Sequence, residues 1–397
     1  MKVFKIALLA ALILCTTACQ DPLLKSDDII NIDITEAWKT RKVLKLSDLV
    51  KEVEYIQVES NVDCYMNRAQ MRFFGKKHIL FYDSRINQYY LFNRDGSFKC
   101  KVGTNGKGPG EYGLECKATM SKDETKIIIS DWSATKVILY NTEGRVLKKK
   151  DLSSEIKSRF VNKIYCDYKN RITFLPRRPF DSNDGFASLV YFDFELNRIG
   201  EVLPRNNDNQ APYVNLSRNA SISNKNGTYF WEMYNDTVYQ YNKEGDAIPR
   251  FHFLITENNL TEKAMQTRMT GKDMSFKYTF PSFVYWLPGH LCIHCSGKVG
   301  NVFYDLKSKE AFGASIENDI YGFRVSIASY GSYYPDQDIC VSRYYWEDNG
   351  YYRERDKIRN MEVTNPELRD ELFELADNPA EDQGPIIMIL RMKQNQI

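Results

Sequence analysis

The residues best suited to hold a metal ion lie in one short segment, GHLCIHCSG, at residues 289–297. Side chains alternate along a β-strand, so His290, Cys292 and His294 would share one face. Three nitrogen and sulfur ligands of this kind can hold zinc or copper. Cys295 would face the other way, and no second cluster supplies further ligands at a standard spacing. The segment is also typical of a buried strand, which is the interpretation we favour, and we expect no cofactor.

Acidic residues are the second source of candidate chemistry. Six aspartates lie near the boundaries of an internal repeat: Asp83, Asp131, Asp193, Asp236, Asp305 and Asp338. Aspartate is common in turns because its side chain accepts hydrogen bonds from nearby backbone N–H groups. We therefore interpret these residues as turn caps. No segment has the pattern of a nucleophile elbow, and we assign no catalytic residue.

The amino terminus has the three parts of a secretory signal peptide. Lys2 and Lys5 form a basic region, residues 6–14 (IALLAALIL) are apolar, and small residues precede Cys19. The apolar run is too short to span a bilayer, which takes about 20 residues. Small residues followed by cysteine resemble the lipobox of bacterial lipoproteins, in which the thiol receives diacylglycerol and the new amino terminus is acylated. The alternative is ordinary cleavage near Ala18, with an unmodified cysteine after it.

The lipobox resemblance implies a membrane anchor and sets the expected domain boundaries. Residues 1–18 would be the signal peptide, residues 19–50 a lipid-anchored tether and lead-in, and residues 51–397 the folded domain. The resemblance also implies an envelope location at the outer membrane, either periplasmic or surface-exposed. Asp27 and Asp28 would then be a surface-export signal or, equally, part of a solvated linker.

Charge and composition exclude one class of partner and indicate the fold class. The 397 residues carry 54 basic and 52 acidic side chains, which gives no basic footprint for nucleic acid. Aromatic residues make up 13% of the chain, and such residues favour β-strands. Of the nine cysteines, all but Cys15 and Cys19 lie in the predicted folded domain. Their scattered positions are typical of small buried hydrophobic residues rather than of a disulfide framework.

A repeat of strands organises the mature chain. Residues 79–98 (ILFYDSRINQYYLFNRDGSF) align without a gap with residues 127–146 (IIISDWSATKVILYNTEGRV), at an offset of 48. Each copy has an apolar strand, a polar turn, a second strand rich in large apolar residues, and a tight turn. Gly96 and Gly144 supply the positive φ that this last turn requires. Antiparallel strands that repeat every ~40–50 residues are typical of β-propeller blades.

Weaker copies and the two chain ends predict a closed ring of six blades. The copies are at residues 189–198, 237–245, 300–307 and 338–345. The long step before the copy at 300 predicts an insertion around Thr261 to Tyr278. Strand-like segments at 53–59 and 385–392 predict that one blade is built from both termini, and residues 366–376 predict a short amphipathic helix before the closing strand. The predicted fold is therefore an all-β, six-bladed propeller, with a β-sandwich or an open solenoid as the alternative.

Four segments together resemble one known family. They are VEYIQVE at 53–59, GKGPGEY at 106–112, NDTVY at 235–239 and DNPAED at 377–382. The resemblance is to the six-bladed β-propeller lipoproteins of Gram-negative envelopes, which are related in shape to NHL-type propellers. It covers most of the mature chain. It implies fold and location rather than activity, because most members of that family are uncharacterised.

The GKGPGEY segment is also a candidate binding loop. Its residues are Gly106, Gly108, Pro109, Gly110, Glu111 and Tyr112. Glycines let backbone N–H groups converge on an anion, although the Lys-Ser/Thr of a P-loop is absent. The alternative, which we favour, is a linker between two blades that turns sharply where only glycine fits.

Aromatic residues of the predicted sixth blade are candidates for ligand contact. They are Tyr330, Tyr333, Tyr334, Tyr344, Tyr345 and Trp346. Tyr and Trp offer large, stiff, amphipathic contact areas, which suit peptides or sugars. Packing within the strands is the alternative explanation.

These observations favour a non-catalytic envelope protein. We expect a lipid-anchored propeller that binds a protein or a glycan at one face of the ring. The alternative is a metal-dependent, NHL-like hydrolase or lyase with its site in the central channel, because lactonase-like and lyase-like propellers place carboxylate or His ligands there. That site would need at least three inward-facing His, Asp or Glu side chains. A third hypothesis is a structural partner of a neighbouring outer-membrane complex.

Overall fold

The structure is a computed structural model that describes most of the chain between residues 29 and 393. The described residues are 29–64, 66, 69–108, 110–114, 116–131, 136–156, 161–167, 169–176, 189–202, 219–224, 227–232, 236–241, 247–259, 277–297, 299–323, 332–334, 336–344, 351–377 and 383–393. Cys19 and the predicted signal peptide lie outside them, as does nearly all of the predicted insertion at 261–278.

The described chain begins with a lead-in of short elements. They are strand β1 (Ile30–Asp33), helix α1 (Ile34–Lys39), strand β2 (Arg41–Lys45), helix α2 (Leu46–Leu49) and the long strand β3 (Val50–Glu59). Helix α1 begins after Asp33, whose carboxylate accepts a hydrogen bond from the N–H of Glu36 at 2.9 Å. This cap satisfies one of the N–H groups that the first turn leaves without a helical partner.

Three four-stranded antiparallel blades follow. Blade 1 contains β4 (Gln70–Phe74), β5 (His78–Asp83), β6 (Gln88–Asn93) and β7 (Phe98–Val102). Two short paired strands, β8 (Thr104–Asn105) and β9 (Glu111–Tyr112), lead to the next blade. Blade 2 contains β10 (Lys117–Met120), β11 (Lys126–Ser130), β12 (Lys136–Asn141) and β13 (Val146–Asp151). After helix α3 (Ser153–Ile156), blade 3 contains β14 (Val161–Cys166), β15 (Ile172–Pro176), β16 (Leu189–Phe192) and β17 (Arg198–Val202).

The remaining strands form three more blades. Blade 4 contains β18 (Asn219–Asn224), β19 (Gly227–Glu232), β20 (Thr237–Tyr241) and β21 (Ala247–Leu254). Blade 5 contains β22 (Phe280–Leu287), β23 (His290–Ser296), β24 (Asn301–Asp305) and β25 (Ala311–Glu317). Blade 6 contains β26 (Ser332–Tyr334), β27 (Ile339–Tyr344), β28 (Gln383–Met392) and, as its outer strand, β3. Helices α4 (Tyr351–Arg359) and α5 (Pro366–Asp377) lie between β27 and β28. The predicted six-bladed propeller, with a helix before its closing strand, is confirmed.

The repeat seen in the sequence is a repeat of strand register. Ile79 lies opposite Phe92 in blade 1, and Ile127 lies opposite Tyr140 in blade 2. Both third strands also carry a β-bulge against the fourth, immediately before Phe92 and Tyr140. Equal spacing in the chain therefore corresponds to equal pairing, because a slip of one residue would turn each buried side chain to the wrong face.

The ring is closed by a strand from the opposite end of the chain. Strand β3 pairs antiparallel with β28 along nearly its whole length, with Ile56 opposite Ile387. The N–H of Lys393 donates to the carbonyl of Leu49 at 2.8 Å, so the two chain ends meet beside this pair. The prediction that both termini build one blade is confirmed.

The lead-in extends two neighbouring blades outward. Strand β1 adds in parallel to β21 of blade 4, and β2 adds in parallel to β25 of blade 5. Both additions cover outer edges that would otherwise present unpaired backbone groups. Trp38 of α1 lies over Gly300 and Gly313, where an added Cβ would come within 2.8 Å of its ring. The lead-in is thus packed on the propeller, an arrangement that sequence patterns had not indicated.

The core lies between blades rather than within one. Between blades 1 and 2, the rings of Tyr89, Tyr112 and Tyr140 pack edge to face. Each blade buries both faces against its neighbours, so most strands are apolar at successive positions. The first strand of each blade is the innermost: β10 lies against β4 and β14, and β18 lies against β22. These inner strands surround the central channel.

Candidate binding face and central channel

The two ends of the propeller carry different connections. We call the upper face the end at which a second strand turns into a third and at which one blade passes to the next. Antiparallel order places both kinds of connection at the same end of each blade. The upper face therefore carries the turn at 84–87, the GKGPGEY segment and helices α4 and α5. Loops of this kind are where binding residues on a rigid scaffold are usually found.

The GKGPGEY segment is held mainly by its own glutamate. The N–H of Gly108 donates to the carboxylate of Glu111 at 2.7 Å, and an added Cβ on Gly106 would lie 2.0 Å from that carboxylate. The N–H of Gly106 donates to the carbonyl of Tyr112 at 3.0 Å. The position that an anion would take beside Gly108 is thus filled by the side chain of Glu111. This geometry favours the linker interpretation, with Pro109 outside the described residues.

Two side chains of blade 2 donate hydrogen bonds to the same segment. Lys136 donates to the carbonyl of Gly108 at 3.1 Å and also to that of Glu111, and the hydroxyl of Tyr140 donates to the carbonyl of Gly110 at 2.9 Å. Tyr112 is buried, which raises the pKa of its phenol, and its hydroxyl accepts from the N–H of Tyr89 at 3.1 Å. The loop is therefore a rigid platform at the junction of blades 1 and 2.

Three exposed aliphatic side chains lie on the upper connections of blade 1. Val62 is fully exposed, Ile86 is 57% exposed and Leu114 is 69% exposed. Val62 lies on the connection from blade 6, Ile86 in the turn between β5 and β6, and Leu114 on the connection to blade 2. We call these three residues the apolar tips. Sequence reasoning missed them, although each is a single apolar residue within an otherwise polar turn.

Hydrogen bonds and burial bring these connections together. The side chain of Asn87 donates to the carbonyl of Gly113 at 2.9 Å, which joins the Ile86 turn to the Leu114 segment. Tyr90 links the turn to the Val62 connection. Burial raises the pKa of the Tyr90 phenol, and Asp83 and Cys64 raise it further because both lie nearby. Cys64 and Tyr90 belong to the same buried cluster.

The predicted aromatic contacts are only partly within the described residues. Tyr333 is half-buried, and its hydroxyl donates to the carboxylate of Asp338 at 3.1 Å. The ring of Tyr334 packs against Phe74 of blade 1, with ring centres 5.8 Å apart. Only the backbone of Tyr344 is described, on β27. Tyr330, Tyr345 and Trp346 lie outside the described residues, so their contact with a ligand remains a prediction.

The His and Cys segment forms β23 of blade 5. Its side chains alternate as predicted: Cys292 packs toward blade 6, while Cys295 packs toward blade 4. His290 is buried with its Nε2 3.6 Å from Asp305, whereas Nδ1 of His294 bonds to Asn301 at 2.8 Å. Among the described residues, no group of three or more His, Cys, Asp or Glu side chains is arranged to hold a metal ion.

The aspartates near the repeat boundaries mostly cap turns. Asp83 accepts from the N–H of Arg85 at 2.9 Å, Asp193 from that of Asn197 at 2.8 Å, and Asp305 from that of Lys307 at 2.8 Å. Asp131 accepts from the N–H of Lys136 at 3.1 Å. Asp236 and Asp338 instead accept from side-chain hydroxyls, those of Thr237 and Tyr333.

The cysteines of the folded domain are free thiols within the described structure. Five of the seven are buried: Cys64, Cys116, Cys292, Cys295 and Cys340. Burial raises the pKa of Cys116 and that of Cys295 to about 12, and that of the half-buried Cys100 to about 11. Such thiols are neutral near pH 7 and act as small apolar groups.

Helices α4 and α5 cover the junction of blades 5 and 6. Helix α5 buries Leu368, Leu372 and Phe373 in the cluster that also contains Cys292 and Met388. Its i, i+4 spacing of apolar residues explains why the sequence predicted it. Among the described helices, none is both long and apolar enough to span a membrane.

One known protein family matches most of the chain. The family described as "Domain of unknown function (DUF4934)" matches residues 29–391, which include the lead-in and all six blades. The chain belongs to this family. No curated protein matches the DUF4934 chain.

Several solved structures are similar to this chain. A Bacteroides fragilis protein named as exported is 17% identical, with a TM-score of 0.61, and the match covers 89% of this chain and 100% of that one. A member of the DUF4221 family from Bacteroides vulgatus is 10% identical, with a TM-score of 0.45 and coverages of 87% and 97%. Virginiamycin B lyase from Staphylococcus aureus is 12% identical, with a TM-score of 0.38 and coverages of 66% and 73%. At 17% identity, the likeness to the Bacteroides fragilis protein shows the fold alone.

Proposed function

We propose that the DUF4934 chain is a membrane-anchored, non-catalytic propeller that docks a protein partner on the upper face of blade 1. The apolar tips, Val62, Ile86 and Leu114, carry this proposal. They project from three separate connections that hydrogen bonding and burial hold side by side. Scattered exposed apolar residues are ordinary, whereas a group of them on one rigid surface marks an interaction site.

The chemistry of the tips favours a protein over a glycan. All three side chains are aliphatic, and they gain free energy by burial against other apolar side chains, at about 25 cal/mol per Å². They carry no ring face and no hydrogen-bonding group with which to recognise a sugar. The GKGPGEY platform beside Leu114 keeps the surface fixed before binding, which lowers the entropic cost of association.

The path of the lead-in keeps this surface away from the anchor. In a ring of six blades, blade 4 lies opposite blade 1. The lead-in begins on the outer edge of blade 4 with β1 and reaches blade 6 with β3. A tether from a lipidated Cys19 would therefore join the ring on the side opposite the apolar tips. Acyl chains at Cys19 would give the stable attachment that a single chain does not provide. Such an anchor would place the protein at the outer membrane.

Site-specific photocrosslinking in intact cells tests the docking surface. Benzoylphenylalanine replaces Ile86 or Leu114 in the full-length chain, and Leu147, which is 53% exposed on the outer strand β13, is the matched control position. We expect both upper-face positions to trap the same protein and the control position to trap none of it. The purified partner should then bind the Ile86→Asp/Leu114→Asp variant at least tenfold more weakly than the unchanged chain.

Three outcomes would contradict the proposal. They are adducts with polysaccharide instead of protein, the same adduct from Leu147, and no adduct from either upper-face position. The anchor is tested in parallel with Cys19→Ser, which should move the protein from the membrane to the soluble fraction. Retention of this variant in washed membranes would show that Cys19 is not the anchor.

A further inference from the structure

The inner strands carry basic residues and no acidic ones. In the described strands β4, β10, β14, β18, β22 and β26, no residue is Asp or Glu. Three residues are basic: Arg72 on β4, Lys117 on β10 and Lys163 on β14. These three strands belong to consecutive blades and lie side by side at the centre. One wall of the channel therefore bears like charges without a carboxylate on the same strands.

Lys117 and Lys163 occupy equivalent positions in blades 2 and 3. Lys117 lies opposite Ser130 on the second strand of its blade, and Lys163 lies opposite Leu175. Each lysine is four residues before the residue that begins the following turn, Ser121 or Asp167. The backbone positions of the two lysines therefore lie at the same level along the channel.

Lys163 is exposed although it lies on an innermost strand. Because β14 borders the central channel, an exposed side chain on it is open to the channel or to its mouth. The surrounding protein still desolvates the ammonium group, which lowers its pKa. Among the described residues, no carboxylate forms an ion pair with it, and its Nζ lies 5.6 Å from the centre of the Tyr165 ring. A desolvated cation without a counter-charge is costly, and a bound anion offsets that cost.

Arg72 adds a second cationic group with unused hydrogen-bonding capacity. Its Nε is buried and has no hydrogen-bond partner among the described residues, while its guanidinium lies 5.0 Å from the centre of the Tyr82 ring. A buried donor without a partner is uncommon in folded proteins and leaves this guanidinium with hydrogen-bonding capacity to spare. Low-dielectric channel walls strengthen the field of both groups, which raises the local concentration of anions.

Aromatic side chains lie on the inner strand of blade 5, across the channel from blade 2. Phe283 and Tyr285, on β22 of blade 5, are half-buried and stacked, with ring centres 5.9 Å apart and an interplanar angle of 28°. Pairing places Phe283 opposite His294 on the second strand, the level that Lys117 occupies in blade 2. Tyr285 itself packs into the core between blades 5 and 6, against Phe303. A ligand in the channel would therefore meet cations on one side and the Phe283 ring on the other.

We infer that the central channel binds an acidic sugar, whose carboxylate is held by Lys163 and whose ring packs against Phe283 of blade 5. The carboxylate supplies the counter-charge that the inner strands lack. The Phe283 ring supplies a flat apolar surface for the C–H face of a pyranose. This site is separate from the apolar tips and does not depend on the proposed protein partner.

Calorimetric titration of the full-length protein in detergent at low ionic strength tests the inference. The probes are galacturonate, which has both the ring and the charge, galactose, which has only the ring, and inorganic phosphate, which has only the charge. We expect galacturonate to bind most tightly and galactose least. Lys163→Met should weaken galacturonate binding at least tenfold, because it keeps the length of the side chain and removes the charge. Lys149→Met, at an exposed lysine on the outer strand β13, should leave it unchanged.

A second measurement locates the site in the unchanged protein. Lysine acylation by acetic anhydride, followed by peptide mass spectrometry, should show that galacturonate protects Lys163 and not Lys149. Equal binding of phosphate and galacturonate would overturn the assignment to a sugar. Absence of galacturonate binding, unaltered binding by Lys163→Met, or equal protection of both lysines would overturn the site itself.

Discussion

Gly144 meets two separate constraints at one residue. Its φ is +74°, in the left-handed region, and an added Cβ would lie 2.3 Å from the carbonyl oxygen of Lys101 in blade 1. Gly96 repeats both features against Gln57 of blade 6, with a φ of +92° and a distance of 2.4 Å. The turn glycine of one blade thus packs on the outer strand of the blade before it. Local turn chemistry and blade packing both require the absence of a side chain.

The substitution Gly144→Ala should lower the free energy of unfolding by roughly 2 to 4 kcal/mol, since it adds left-handed strain to a backbone clash. Gly200→Ala is the matched control. An added Cβ there would lie 3.6 Å from the Tyr191 ring, an ordinary contact, and Gly200 is not among the glycines with positive φ. Denaturant unfolding of both variants measures the difference. Equal destabilisation by the two substitutions would show that the constraint at Gly144 is not the one described.

At the scale of elements, the turn between the first and second strands of one blade accepts hydrogen bonds from the same turn of the preceding blade. The buried carboxylate of Glu124 accepts from the N–H groups of Lys76, Lys77 and His78, at 2.5, 2.9 and 2.8 Å. One blade later, Asn170 accepts from the N–H of Lys122 at 2.9 Å. Glu124 and Asn170 both have positive φ, which turns each side chain toward its neighbour.

Replacement of the Glu124 carboxylate should destabilise the junction of blades 1 and 2. Glu124→Gln keeps the shape of the side chain but sets an NH₂ group against at least one N–H donor. We expect a loss of roughly 2 to 3 kcal/mol in the free energy of unfolding, as for hydrogen bonds to a charged group. The exposed Glu143, changed to Gln, should alter stability by less than about 0.5 kcal/mol. Calorimetry measures the melting temperatures of the two variants. Similar values would contradict a stabilising role for the hydrogen bonds to Glu124.

The sequence predicted some helices and strands but not others. Helix α5 was predicted because its apolar residues recur at helical spacing and a proline begins it. The strands of blades 1 and 2 were predicted because both halves of the repeat alternate long apolar runs with turn glycines. Strands β1 and β2 were not predicted, since each is short and gains its partner only from the exposed edge of a distant blade. The apolar tips gave no pattern, because three single residues from separate connections come to one face of the ring only through folding.

At the scale of the molecule, stability depends on ring closure. Each blade packs on two neighbours, so an open ring leaves two apolar blade faces in water. Strand β3 provides the outer strand of blade 6, and Val58 within it is fully buried between blades. A chain that begins at Leu46 keeps this strand and loses only β1, α1 and β2. A chain that begins at Ser60 loses the closing strand as well.

The two truncations should behave differently. The chain from Leu46 should unfold in one transition at a lower denaturant concentration than the full chain, because the outer edges of blades 4 and 5 are exposed. The chain from Ser60 should lose cooperative unfolding, because blade 6 is left with three strands. Circular dichroism and tyrosine fluorescence, followed together, report the transitions. A cooperative transition of unchanged midpoint in the shorter chain would contradict the closing role of β3.

The sequence by itself determined what depends on local spacing. The 48-residue offset fixed the register of blades 1 and 2, the turn glycines fixed where strands reverse, and the strand-like ends fixed how the ring closes. These features follow from neighbours along the chain or from one repeated unit. The sequence also pointed to the GKGPGEY loop and to the segment at His290, Cys292 and His294. It did not show that Glu111 fills the loop or that the segment is packed between blades.

Only the tertiary structure decided which surfaces are available to a ligand. Val62 and Leu114 are 52 residues apart in the chain, and Lys163 and Phe283 belong to different blades. Whether such residues share one face or one channel depends on the curvature of the ring, which arises from packing between blades rather than from any residue pattern. Burial likewise decided that the thiols are neutral, because their protonation depends on how many protein atoms surround them in space.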